Sequence, residues 1–86
     1  MQINYSKKFI KLLRKINPEI KDYLKEKILI FRINKFDPRI NNHKLKGKFK
    51  KYRSINITGD YRAIFEEIAE DNVYFVSIGT HSELYA

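Results

Sequence analysis

The chain has two histidines, His43 and His81, and these are its natural acid/base groups, because imidazole titrates near neutrality. Asp60 follows Gly59 in a turn-forming pair, Arg62 lies two residues further on, and Tyr85 is next to last. Together these side chains suit one reaction, the cleavage of an RNA phosphodiester without a metal. The nucleophile is then the RNA's own 2′-hydroxyl. The protein must supply a base for that hydroxyl, an acid for the departing 5′-oxygen, and cations for the charge that gathers on phosphorus. Arginine grips phosphate oxygens in pairs, and tyrosine stacks on an unpaired base. A carboxylate at Asp60 would orient His43 or His81 and raise its basicity.

Other chemistries find no residues to carry them. Cysteine is absent, which removes thiol nucleophiles, disulfide frameworks and Cys-based zinc sites. No serine stands in a nucleophile-elbow context, no Gly-rich phosphate loop occurs, and the histidines lack metal-ligand spacing. Neither a metal nor a cofactor is expected.

The elements that must position this set can be read from the pattern. Gln2–Tyr5 is a candidate first strand. Ser6 is a helix N-cap, and Phe9, Leu12, Leu13 and Ile16 form one apolar stripe at helical spacing. Asn17 ends that helix, because a residue before proline is pushed out of the α region. Pro18 opens a second helix, reaching about Asn34, with Ile20, Leu24, Ile28 and Phe31 as its stripe. The run Ile28–Phe31 is apolar all round and is expected to be the more buried stretch. Asp37-Pro38 begins a loop. A strand from Tyr52, a Gly59-Asp60 turn, a strand over Tyr61–Ile68, a turn at Glu70–Asn72 and a strand over Val73–Ile78 complete an antiparallel meander. Gly79 breaks the last strand, and Thr80–Ala86 is read as a tail. The order is β-α-α-β-β-β, an α+β domain over residues 1–86. Its helical hairpin covers one sheet face, and the other face is left for a site.

At 86 residues, with 43% apolar and 14% aromatic residues, the chain can build one modest core. No apolar run approaches the roughly 20 residues of a membrane span, and Met1–Tyr5 does not read as a signal peptide. A soluble, cytoplasmic protein with no membrane partner is the expectation. The net charge is +8. Residues 1–53 hold 17 of the 18 basic side chains, and residues 54–86 hold 6 of the 10 acidic ones. A basic half of that strength points to a polyanionic partner. Lys44, Lys46, Lys48, Lys50 and Lys51 are its densest stretch and the candidate RNA-phosphate contacts. Lys7, Lys8, Lys11 and Lys15 read as the wet face of a helix.

At His43-Lys44-Leu45-Lys46-Gly47, Tyr52-Arg53, Gly59-Asp60-Tyr61-Arg62 and Gly79-Thr80-His81 the chain resembles the RelE/ParE superfamily of type II toxin–antitoxin toxins. It looks most similar to the YafQ-like branch of messenger-RNA interferases. The resemblance implies a compact fold with helices on one side of a twisted sheet. It also implies cleavage of mRNA on the ribosome, contacts with ribosomal RNA, and neutralisation by a cognate antitoxin. His43, Asp60 and His81 fall on the branch's acid/base positions, and Tyr85 on its terminal aromatic, which contacts the RNA base. Arg62 matches an arginine that stabilises the transition state in RelE itself. Two positions depart from the pattern. Asn56 stands where the branch has a further histidine, and Ser77 where it has an arginine.

Each residue also has a plainer reading. His43 is a loop residue by context, His81 caps a strand end, Asp60 is an ordinary turn residue, Arg62 pairs with Glu66 or Glu67, and Tyr85 packs the tail. Arg53 shares parity with Ile55 and Ile57 and reads as structural, pinning the loop. Two other functions remain as alternatives. One is a gyrase inhibitor of the ParE type, which lacks the acid/base set. The other is a degenerate module that only binds antitoxin or RNA. The acidic, partly disordered antitoxin expected here would fold across the basic surface.

Overall fold

The computed structural model describes residues 1–85. The first strand, β1 (Gln2–Tyr5), runs into helix α1 (Lys7–Arg14), and a three-residue joint leads to helix α2 (Pro18–Ile33). Ser6 is the N-cap of α1. Its Oγ accepts the Phe9 N–H at 2.9 Å and donates to the Val76 carbonyl at 3.1 Å, so one hydroxyl starts the helix and ties it to the sheet. Asn17 caps α2 by accepting the Glu19 N–H at 2.8 Å, with Pro18 in the first turn. Phe9, Leu24, Ile28 and Phe31 are buried from these helices.

The expected apolar-all-round burial of Ile28–Phe31 does not occur. Leu29 is 63% exposed, because a two-helix layer on a sheet buries only one face of α2.

The sheet has five strands in the order β1-β5-β4-β3-β2. They are β2 (His43–Lys44), β3 (Arg53–Asn56), β4 (Tyr61–Ala69) and β5 (Asn72–Thr80), beside β1. The meander is antiparallel, and β1 joins its edge parallel to β5. The last strand continues through Gly79 to Thr80, where the sequence reading stopped it at Ile78. A short edge strand at His43–Lys44 and a last helix, α3 (His81–Tyr85), add to the expected order.

One face of the sheet carries the core. Ile55, Ala63 and Ile78 stand in one cross-strand row and Phe65 faces Phe75. Phe31, Phe65 and Phe75 meet edge to face or tilted at 5.1–5.7 Å between centroids, a cluster of the kind that fixes one packing. Ile64 pairs with Ser77 and Phe65 with Phe75, so a register shift leaves Val76 of β5 as the extra residue. The opposite face is only partly free. Its row His43–Ser54–Ile64–Ser77 runs across four strands, and Ser54 and Ile64 are buried.

Candidate active site

The site is built where β4 starts and β5 ends. Tyr61 faces Thr80 and Arg62 faces Gly79 in the β4–β5 pairing. The next residue, His81, donates its backbone N–H to the Asp60 carbonyl at 3.1 Å. The turn and the last helix are thus joined through main chain, where the sequence reading had looked to the Asp60 carboxylate. That carboxylate stands exposed on the turn.

Arg62 folds back over the same turn. Its Nη1 donates to the carbonyls of Thr58 at 3.0 Å, Gly59 at 2.9 Å and Tyr61 at 3.3 Å. The expected pairing with Glu66 or Glu67 is replaced by this carbonyl cradle. No hydrogen bond among the described residues engages Nε or Nη2, so the outer fork of the guanidinium is open. Thr58 Oγ1 also accepts the Tyr61 N–H at 3.0 Å, closing the turn from within.

The segment read as a tail is a helix for a reason visible in four residues. Thr80-His81-Ser82-Glu83 is a reciprocal capping box. Glu83 Oε1 accepts the Thr80 N–H at 2.7 Å, and Thr80 Oγ1 accepts the Glu83 N–H at 3.3 Å. These bonds hold the Glu83 carboxyl below its usual value. The turn they fix sets His81 and Tyr85 four residues apart on one helical face. Their rings lie 4.8 Å apart, and Tyr85 meets Phe49 edge to face at 5.8 Å.

Phe49 belongs to a short 3-10 turn, Gly47–Phe49, inside the basic stretch. Lys48 and Lys51 lie 5.2 Å over the rings of Phe49 and Tyr52. Lys44, Lys46, Lys48, Lys50 and Lys51 are all exposed. The sequence reading passed over Phe49, whose signal was an aromatic residue between lysines.

His43 stands apart from this cluster, on the other edge of the meander. It is three strands from β5, about 14 Å across at ordinary strand spacing. Its Nδ1 lies 2.8 Å from the Asn41 carbonyl. A carbonyl only accepts, so Nδ1 carries the hydrogen, and in the neutral ring Nε2 keeps its lone pair. Asn41 can aim that carbonyl because it adopts a left-handed conformation, φ 46°. Arg53 donates to Asn42 Oδ1 at 2.8 Å and thereby pins the His43 loop, the structural role its parity suggested.

Two polar atoms on β3 are buried without partners, Ser54 Oγ and Asn56 Oδ1. Both lie on the site side, Ser54 opposite His43 and Asn56 opposite Arg62. Among the described residues no group of three or more His, Asp or Glu could hold a metal.

A hollow of about 330 Å³ lies alongside, lined by Lys8, Phe49, Tyr52, Ile64, Ser77 and Glu83 among others. A larger one of about 510 Å³ lies between α1 and α2, lined by apolar side chains such as Phe9, Ile10, Leu13 and Leu29. Tyr5 and Lys25 are its only titratable lining residues, with no histidine or carboxylate.

A family model of YafQ, the bacterial toxin of type II toxin–antitoxin systems, matches residues 1–86. The chain belongs to the YafQ family of toxins. Its fold is shared with several solved structures. A copper-bound mutant toxin from Helicobacter pylori is 31% identical, over 99% of both chains, with a TM-score of 0.72. A chain of the DinJ–YafQ complex from E. coli is 26% identical, over 99% of this chain and 98% of that one, with a TM-score of 0.69. A chain of the RelB–RelE antitoxin–toxin complex from Methanococcus jannaschii is 22% identical over 95% and 94%, with a TM-score of 0.74, a likeness of fold alone. No curated protein sequence matches.

Proposed function

We propose that this YafQ-family toxin is a ribosome-dependent endoribonuclease that cuts mRNA by metal-independent acid/base catalysis. The observation that carries the reading is the clamp of α3 on the Asp60 turn. It gathers Asp60, Arg62, His81 and Tyr85 at one corner of a sheet face that His43 borders from the other edge. His43, with Nδ1 committed to Asn41, serves as the base through Nε2. It takes the proton of the 2′-hydroxyl, whose oxygen bonds to phosphorus. The bond from phosphorus to the 5′-oxygen breaks, and protonated His81 gives that oxygen its proton. The products are a 2′,3′-cyclic phosphate and a 5′-hydroxyl.

Arg62, held by Nη1, offers its open fork to the charge on phosphorus. Asp60 fixes the start of the His81 helix through its main-chain carbonyl. Tyr85, steadied between His81 and Phe49, stacks on a base. Side chains supply the base, the acid and the charge, so the scheme calls on no Lewis acid. The lysines from Lys44 to Lys51 contact mRNA or ribosomal RNA phosphates. The ribosome holds the mRNA across the sheet face, between the two histidines.

We further infer an antitoxin partner, in keeping with the DinJ–YafQ and RelB–RelE complexes. An acidic segment is the expected counterpart of this basic chain.

A chemical test uses programmed ribosomes and an mRNA with one 2′-deoxy nucleotide at the cut position. Cleavage stops there, and chelation of divalent metal after ribosome assembly leaves the toxin step intact. Cleavage of the deoxy substrate at the normal rate would refute the scheme.

A further inference from the structure

The lysines of α1 and its cap, Lys7, Lys8, Lys11 and Lys15, are all exposed, as expected of a solvated face, but they border different hollows. Lys7, Lys11 and Arg14 border a hollow with Tyr5 and Ile10 on one side of the helix. Lys8 and Lys15, seven residues and about two turns apart, lie at the edge of that face nearest β5 and α3. There Lys8 lines the 330 Å³ hollow with Phe49, Tyr52, Ser77 and Glu83. It also lines the adjoining hollow of about 260 Å³ with Lys15, Tyr61, Ser77, Gly79 and Glu83. The two hollows meet at Lys8, Ser77, Glu83 and Leu84 and form one groove beside the helix that carries His81 and Tyr85.

We propose that this groove is a substrate-RNA subsite and that Lys8 is a phosphate-contacting residue within it. The inference rests on the ribonuclease reading above and extends it to a helix outside the sheet. Its chemistry suits a polynucleotide. Phe49, Tyr52, Ile64 and Leu84 offer aromatic and apolar surface to a base or ribose, and Ser77 offers a hydroxyl. Lys8 is the cation of the first hollow, and no ion pair within 4.0 Å occupies it among the described residues. Glu83 shares the groove, yet its Oε1 is turned to the Thr80 N–H. The groove is thus anionic at its α3 wall and cationic at its α1 wall, and a phosphate belongs at the α1 wall. The groove is walled by Glu83 and Leu84 of the helix that carries His81, outside the reacting centre, so Lys8 acts on substrate binding.

The test compares Lys8→Gln with Lys7→Gln, which removes the same charge from the adjacent position outside the groove, on programmed ribosomes. Thermal melts confirm the fold of each variant. Lys8→Gln is expected to raise KM about tenfold, as loss of one charge-assisted contact does, with kcat changed less than twofold. Lys8→Arg should retain activity. Ser77→Arg in the Lys8→Gln background should restore KM, because it returns a cation to the same groove. Equal losses for Lys8→Gln and Lys7→Gln would overturn the proposal in favour of a general field effect. So would a Lys8→Gln variant that cuts normally but binds antitoxin weakly, which would make the groove a protein-docking surface. If the unaltered chain makes no breaks, the ribonuclease reading itself fails, an outcome distinct from any of these.

Discussion

Arg62 has two jobs in this account, and replacing it by alanine separates them. Its Nη1 holds three carbonyls of the β3–β4 turn at 2.9–3.3 Å, while Nε and Nη2 carry no hydrogen bond among the described residues and are proposed to meet the substrate. A charged donor on carbonyls contributes about 1.5–3 kcal/mol when well enclosed. Arg62 is only half-buried and the third contact is long, so about 1–2 kcal/mol is the reasonable loss. For a domain of this size each kcal/mol moves Tm by about 4–8 °C, which puts the fall at roughly 4–16 °C. Loss of the transition-state cation should also lower kcat by about a hundredfold or more at a temperature where the variant is folded. Circular dichroism reads the first effect, and single-turnover cleavage on ribosomes at 20 °C below the variant's Tm reads the second. Arg62→Lys should recover part of kcat and little of Tm, since an ammonium cannot span three carbonyls and still present a fork. A variant with unchanged Tm would refute the turn-holding role. One with lowered Tm and normal kcat would refute the catalytic role.

Other substitutions probe the supports. Ser6→Ala removes both the α1 cap and the bond to Val76 and should cost about 2 kcal/mol in urea unfolding. Ser6→Asp keeps the cap acceptor and should recover about half. Ser54→Ala deletes a buried hydroxyl that has no partner and should leave stability equal or higher, by up to about 1 kcal/mol; a loss above that would reveal a hidden hydrogen bond. Glu83 has a folded-state pKa below its unfolded value of 4.5. Its contribution to stability is therefore present above pH 4.5 and disappears as pH falls through the folded value. Melting curves of the unaltered chain and Glu83→Gln should differ at pH 7 and converge under acid; a gap that stays constant with pH would contradict the capping role. Asp37, held down to about 2 by its bonds from Arg39, adds a second acid-sensitive term with the same sign.

The sequence disclosed the parts with long periods. The stripe Phe9-Leu12-Leu13-Ile16 and the β-branched runs of the meander were enough for the helical hairpin and the sheet behind it. Shorter elements escaped, because a period needs several turns to show. The two-residue strand at His43–Lys44 has none, and the five residues of α3 barely have one. The capping box Thr80-x-x-Glu83 was the available signal for α3, since it depends on hydrogen bonds between named positions and needs no periodicity.

Side-chain partners were harder still. The plainer reading of Arg62 gave it a carboxylate partner, Glu66 or Glu67. The nearby turn offered carbonyls instead, and a guanidinium beside a strand end reaches those first. Lys8 looked like Lys7 in the sequence, and only the packing of α1 against β5 separates them. The Asp60–His81 link was anticipated as a pair, but its main-chain nature was not.

The central claim is that this chain breaks mRNA with His81. Inducing it in a bacterial host and mapping a reporter mRNA by primer extension, beside His81→Ala, tests that claim most directly. Discrete breaks within the reading frame that vanish in His81→Ala, with antitoxin binding retained, are the predicted result. Growth arrest over intact mRNA, equal for both chains, would contradict it and point to an inhibitor of the gyrase-directed kind.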